Sequence, residues 1–240
     1  KQIPQRITLI GADADISHNL LAKRYPKATF AEYDPRANFL DEAAQFRKSG
    51  FLAKLTGKTV TQYRQSLTEP LPEAEADMLW ANLSLITAKE PLPVFENWAR
   101  HLKTDGLLFF THFGGDSLHE LLGRLKNEGI TTKAPILFDM HDLGDILFDN
   151  YFYDPVMDTS KLDLTYRSAE AFWQDMETLG LWHAFTFSDE TAARAKINNW
   201  LADGSLNKIT IETVFGHAVK KLMLPAGESQ VQFFPRKKTD

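Results

Sequence analysis

Apolar residues in this chain fall into short runs separated by stretches of helical periodicity. "RITLI" (Arg6–Ile10) is nearly continuous and stops at Gly11, the form of a strand buried on both faces. In "ISHNLLAKRY" the apolar positions Ile16, Leu20 and Leu21 have helical spacing, with Pro26 just beyond. "ATFAEYD" (Ala28–Asp34) reads as a second strand, and "RANFLDEAAQFRKSG" as a helix stopped at Gly50. "KTVTQY" (Lys58–Tyr63) alternates as a third strand, and "ADMLWANLSLI" (Ala76–Ile86) as a longer apolar fourth. "PVFENWARHL" (Pro93–Leu102) sets Val94, Phe95, Trp98 and Leu102 on one side of a helix. "GLLFFTHF" (Gly106–Phe113) and "DSLHELLGRLKNEG" (Asp116–Gly129) add a buried strand and another helix.

Strands alternating with helices predict an α/β fold, with a parallel sheet covered on both faces. The last third breaks this rhythm. "FDMHDLGDILFDN" looks helical, "VMDTSKLDLTY" extended, and two more helices follow over Ala169–Leu179 and Glu190–Leu201. "KITIETVFGHAVKK" (Lys208–Lys221) alternates as a long strand, expected to run antiparallel. No internal repeat or low-complexity linker divides the chain, so residues 1–240 are expected to form one domain.

Composition narrows the function classes. The chain has 240 residues, 43% hydrophobic and 25% charged, enough for a full core. A net charge of −5 leaves no overall basic field to hold nucleic acid. With no cysteine there is no disulfide, no thiol catalysis and no cysteine-metal site, which fits a reducing cytoplasm. No apolar run approaches the roughly 18–20 residues that span a bilayer. The six histidines other than His141 show no metal-ligand spacing. The segment Pro235–Asp240 ("PRKKTD") is expected to be a solvated tail.

The first strand-helix turn carries the candidate chemistry. In doubly wound sheets ligands sit beyond the carboxyl ends of the strands, where this turn lies. A glycine there lets backbone approach the ligand, and an acid ending the second strand can accept hydrogen bonds from ribose hydroxyls. Gly11 and Asp34 occupy those positions. The strict G-x-G-x-x-G spacing is absent, which argues against an NAD-linked oxidoreductase.

From Leu9 to Pro26 the chain resembles the first motif of class I S-adenosylmethionine-dependent methyltransferases. "EADMLWANLSLI" resembles their fourth strand and "NWARHLKTDGLLFFTHFG" their helix-to-strand segment. "FDMHDLGDILFDNYFYDPVMDTSKLDLTYRS" (Phe138–Ser168) is similar to a segment of the malonyl-acyl-carrier-protein O-methyltransferases of biotin synthesis (BioC type), and "ITIETVFGHAVK" to their last strand. The resemblance covers nearly the whole chain.

It implies a doubly wound, seven-stranded, mostly parallel sheet with an antiparallel last strand. Residues 130–205 would form an acceptor-side region inside that domain. S-adenosylmethionine would be the cofactor: Gly11 in its cradle, Asp34 on the ribose, Gln65 facing the adenine, Asn82 and Leu83 bordering the methionine. The acceptor side would draw on His141 and Asp142, and on Tyr166 and Arg167. Malonate is already ionised at neutral pH, so the transfer needs no general base, and Arg167 is the expected grip on its carboxylate. An acyl carrier protein, being acidic, would call for basic residues such as Arg194, Lys196, Lys220 and Lys221.

Departures from the family cluster at the cofactor end. Leu9 stands where an acid for the cofactor's ammonium is usual, and Asp13 and Asp15 stand where glycines are usual. "RQSLT" is neutral where an acid normally follows the third strand, and Leu85-Ile86-Thr87 replaces a usual L-Q-W. Two readings therefore stand together: a methyltransferase with an atypical cofactor pocket, and a methyltransferase-fold protein kept as a binding or regulatory module. Other roles are open for the acceptor-side residues too, since Asp139 and Asp142 can cap the helix they begin and Arg167 can pair with Glu170.

Overall fold

The computed structural model describes residues 3–49, 60–88, 90–133 and 137–222. Seven strands form one sheet, in the order β3 (Thr61–Tyr63), β2 (Thr29–Tyr33), β1 (Arg6–Ile10), β4 (Ala76–Ala81), β5 (Leu102–Phe113), β9 (Ile209–Lys220) and β7 (Phe152–Leu164). The first five are parallel, with β1 between β2 and β4. The last strand, β9, is antiparallel to both β5 and β7. This is the mostly parallel, doubly wound sheet that the apolar runs predict, including its antiparallel closing strand.

The central strands are apolar because neither face meets water. Ile7, Leu9 and Ile10 of β1 are at most 3% exposed. On one face, helices α3 (Pro91–His101) and α5 (Met140–Asp149) bury Val94, Phe95, Trp98, Leu143 and Leu147 against Leu79, Leu108, Phe110 and Val214. On the other face, α1 (Ile16–Arg24) lays Leu21 over Ile7, Leu9 and Met78, and α2 (Ala37–Ser49) packs Leu40 and Ala43 against Ala12. A separate apolar cluster joins α4 (His119–Asn127), α6 (Ala169–Thr178), α7 (Leu181–Ala184) and α8 (Glu190–Ala202) through Leu121, Phe172, Trp182 and Ile197, with Ile209 and Ile211 of β9.

Several boundaries differ from the sequence expectations. The fourth strand ends at Ala81, not Ile86: Leu83 takes a left-handed backbone (φ 49°) and Ser84–Thr87 coil into a 3-10 turn. Strand β5 begins at Leu102, four residues early, and β7 begins at Phe152. Helix α3 starts at Pro91, whose missing N–H costs nothing in a first turn. The short ribbon of β6 (Thr132–Lys133) with β8 (Thr186–Phe187), and the one-turn α7, have no counterpart in the sequence reading. Gly50, residues 58–59 and the Pro235–Asp240 tail lie outside the described residues. Among the described residues no helix is long and apolar enough to cross a membrane.

Two interior contacts make direct tests. Gly216 faces Phe110 across the β5–β9 pairing, and a Cβ there would sit 2.1 Å from the Phe110 ring. That ring is 3% exposed and wedged against Phe95. Gly216→Ala is therefore expected to lower unfolding stability by about 3 kcal/mol, readable from the denaturant midpoint.

The second contact is the imidazole of His101, which is 1% exposed. Its Nδ1 donates to the Pro72 carbonyl, so its Nε2 accepts from the Thr8 hydroxyl at 2.7 Å. Burial pulls its pKa below the ordinary imidazole value and Lys220 adds to this, against the Pro72 carbonyl and Glu75. A base whose folded pKa is depressed binds protons more readily when unfolded. Its stabilisation is thus complete above about pH 6.5 and is lost as pH falls from there through the folded pKa. The melting temperature is expected to drop over that interval, and His101→Gln to flatten the drop.

Candidate functional site

The crevice beyond the carboxyl ends of β1, β2 and β4 is built on the turn after β1. Gly11 has φ +90°, and a Cβ there would meet the Asn82 carbonyl at 3.3 Å and Ser84 at 3.4 Å. Only glycine makes that turn at low cost. Its N–H donates to the Tyr33 carbonyl, tying the turn to the end of β2. Ala14 and Asp15 follow with φ of 54° and 68°, a left-handed pair that costs free energy for any residue with a side chain. Glycine at position 15 would relieve that cost.

Asp34, next after β2, is 1% exposed. A carboxylate offers about four lone-pair directions, and here each is taken. One oxygen, Oδ1, accepts from the Arg36 backbone N–H at 2.7 Å and from Arg36 Nε at 2.9 Å. The other, Oδ2, accepts from the Ala12 N–H at 2.9 Å and from Arg36 Nη2 at 2.7 Å. The Arg36 guanidinium also lies 3.7 Å over the Phe39 ring.

The two aspartates of the turn are also engaged. Asp13 accepts from the Ser17 N–H and from its hydroxyl at 2.5 Å, and Asn82 Nδ2 lies 3.3 Å away. Asp15 accepts from Arg47 Nε at 2.8 Å, while Arg47 Nη2 reaches Glu32 at 3.1 Å. Glu32, 1% exposed, also accepts from Gln62 at 2.7 Å. Both aspartates that stand where glycines are usual are thus engaged inside the fold, Asp15 by the Arg47 cation.

The remaining cofactor-side residues line the same end of the sheet. Asn82 accepts from Thr111 Oγ1 at 2.7 Å, and that hydroxyl accepts the Leu83 N–H at 2.9 Å. Gln65 turns its amide onto the carbonyls of Glu69 and Pro70. It lines a cavity of only ≈ 10 Å³, shared with Ile10, Tyr33, Leu67, Leu71, Asn97 and Trp98, about the room of one water. Tyr33 stacks on Tyr63 at 4.7 Å. Burial, with Tyr63 and Glu75 adding, pushes its pKa up to about 12.

The residues expected on the acceptor side have different settings. His141 is 76% exposed at the start of α5, where Asp139 caps the helix through the N–H groups of His141 and Asp142. Tyr166 packs inward, its ring edge-on to Phe172 at 5.3 Å, and burial followed by the Asp175 carboxylate raises its pKa. Arg167, its neighbour, is exposed, and no hydrogen bond or ion pair engages it among the described residues. The alternative pairing with Glu170 does not form.

The basic residues proposed for a carrier protein need correction. Lys220 is 6% exposed and spends its ammonium on the Leu102 carbonyl. Arg194 pairs with Glu190 and stacks over Trp173 at 4.4 Å, and Lys196 pairs with Glu128 at 2.6 Å. Lys221 caps the Phe148 carbonyl. These four do not make a free cationic patch.

Arg36 and Arg47 are the residues that sequence reasoning missed. A cation two positions after the strand-ending acid was the available signal for Arg36. Nothing local marked Arg47, which lies 32 residues from Asp15.

The backbone of this end fits S-adenosylmethionine, since Gly11 opens the turn that a side chain would fill. Its polar groups do not: Asp34 has no lone pair left for a ribose hydroxyl. Among the described residues no cluster of His, Cys, Asp and Glu could hold a metal ion.

Comparison with known proteins agrees with this architecture. Residues 10–110 match the Methyltransferase domain family. A malonyl-[acyl-carrier protein] O-methyltransferase of Gallionella capsiferriformans is 31% identical over 90% of this chain and 77% of its own length. The enzyme of that name from Laribacter hongkongensis is 29% identical over 98% of this chain and 84% of its own. Among solved structures, the YcgJ protein from Bacillus subtilis aligns over 92% of this chain and 93% of its own with a TM-score of 0.59 at 16% identity. Haemonchus contortus phosphoethanolamine N-methyltransferase 2, solved in complex with S-adenosyl-L-methionine, aligns over 92% of this chain and 50% of its own with a TM-score of 0.55 at 15% identity. The chain has a class I methyltransferase fold and belongs to the malonyl-[acyl-carrier protein] O-methyltransferase family.

Proposed function

We propose that this chain is an S-adenosylmethionine-dependent O-methyltransferase that esterifies the free carboxylate of a malonyl thioester carried on acyl carrier protein. The observation that carries the reading is its near full-length similarity to enzymes named for that reaction. The cofactor supplies an electrophilic methyl group, and an ionised carboxylate is already a competent nucleophile at neutral pH. What remains for the chain is positioning, charge complementarity and exclusion of water. Gly11, Asp34, Gln65, Asn82 and Leu83 are assigned to the cofactor side, and His141, Tyr166 and Arg167 to the acceptor side. Arg167 suits the acceptor carboxylate because its fork is uncommitted and can bind bidentately.

A second reading has an observation of its own. Asp13, Asp15 and Asp34 are each held by internal donors, which favours a methyltransferase fold kept for binding a partner. Incubation with S-adenosylmethionine and malonyl-acyl-carrier protein, followed by intact mass of the carrier, separates the two. The expected result is a gain of one methyl group. Arg167→Ala is expected to raise KM by about tenfold or more while leaving the melting temperature unchanged, because the side chain is exposed. No methylation, together with a normal melt, would leave the partner-binding reading standing.

A further inference from the structure

The disagreement between Asp34 and the cofactor carries one step further. Of the four donors on this carboxylate, two are backbone N–H groups, from Ala12 and Arg36, fixed by the turn and by the start of α2. The other two are Nε and Nη2 of the Arg36 side chain. That side chain is 43% exposed, against 1% for Asp34. It can rotate off the carboxylate into water with no change in the backbone, leaving Asp34 on its two backbone N–H donors. The vacated directions lie side by side, one on each oxygen. Two adjacent hydroxyl donors match them, and a ribose 2′,3′-diol is such a pair.

We propose that Arg36 is a latch on the nucleoside position, a side chain that occupies the diol-binding directions of Asp34 and must be displaced by any ribonucleoside ligand. The proposal rests on the cofactor reading above. It makes Arg36 a determinant of affinity that contributes no contact to the bound diol. In linkage terms the observed dissociation constant is the intrinsic one divided by the fraction of molecules with Arg36 released. The Phe39 ring under the guanidinium holds the latched rotamer. A half-exposed ion pair weakens with ionic strength, so salt is expected to favour release.

The test is calorimetric titration of the full chain and of Arg36→Gln with S-adenosylhomocysteine, and with 2′,3′-dideoxyadenosine as a probe lacking the diol. Each variant is first shown to melt cooperatively. The latch predicts S-adenosylhomocysteine binding about tenfold tighter in Arg36→Gln, a gain absent for the dideoxy probe. It also predicts that raising salt tightens binding to the unaltered chain but not to Arg36→Gln. Equal affinity in the two proteins, or weaker binding in Arg36→Gln, would overturn the latch and leave the cofactor reading in place. No binding to either protein at millimolar ligand would overturn both. Should Arg36→Gln fail to fold, Arg36→Lys takes its place, since an ammonium cannot fill both directions. A gain of about threefold or more would then support the latch, and no gain would overturn it.

Discussion

Burying a carboxylate is costly unless donors surround it, and Asp34 is the point at which this molecule meets that requirement. Its donors come from three places: the turn after β1, the Arg36 backbone N–H just before α2, and the Arg36 side chain. Through one buried group, the first turn is fastened to the second strand and to the helix that follows. The left-handed residues of that turn sit between this anchor and the Asp15–Arg47–Glu32 bridge, which links the same turn to α2 and β2. Two charge clusters thus hold a backbone conformation that its own residues disfavour.

The apolar core answers to different rules. Leu9, where the family resemblance leads to the expectation of an acid, is 2% exposed and packs with Ile7, Phe30 and Met78. An apolar side chain there strengthens the sheet and removes a charge from the crevice. Core and crevice share the same strands but use alternate ends and faces of them, so one changes while the other stays intact. This is why family membership is plain in the fold and in overall similarity, while the ligand-facing turn carries its own chemistry.

How much of this was legible follows from the range of each interaction. Strands β1, β2 and β5 show in the sequence because burial on both faces needs a run of apolar residues. The antiparallel β9 shows because its sides differ and its residues alternate. The end of β4 was misplaced because Leu83 and Leu85 look like strand interior. The break there depends on the Asn82 N–H reaching Ile10 and on Thr111 Oγ1 accepting from Leu83, contacts made by two other strands, β1 and β5. At the crevice, the positions of Gly11 and Asp34 could be read from a local pattern, strand, glycine, helix, strand, acid. Their electrostatic state could not. Arg47 is close to Asp15 only because α2 folds back across β2, and Lys220 looked like a surface cation until β9 placed it beneath Leu102.

The position of β9 also sets the order in which the protein can be completed as it is made. Strand β7 leaves the ribosome some fifty residues before β9 yet takes its place in the sheet only through β9, which lies between it and β5. Until the last strand is synthesised, β5 and β7 both present unpaired backbone, and the apolar face of α5 that rests on Val214 and Ala218 lacks part of its floor. The nascent chain must therefore hold a long open strand edge from the end of β5 at Phe113 until β9 begins at Ile209. A chain cut short between Leu164 and Ile209 leaves β5 and β7 as two unpaired edges in place of a finished sheet.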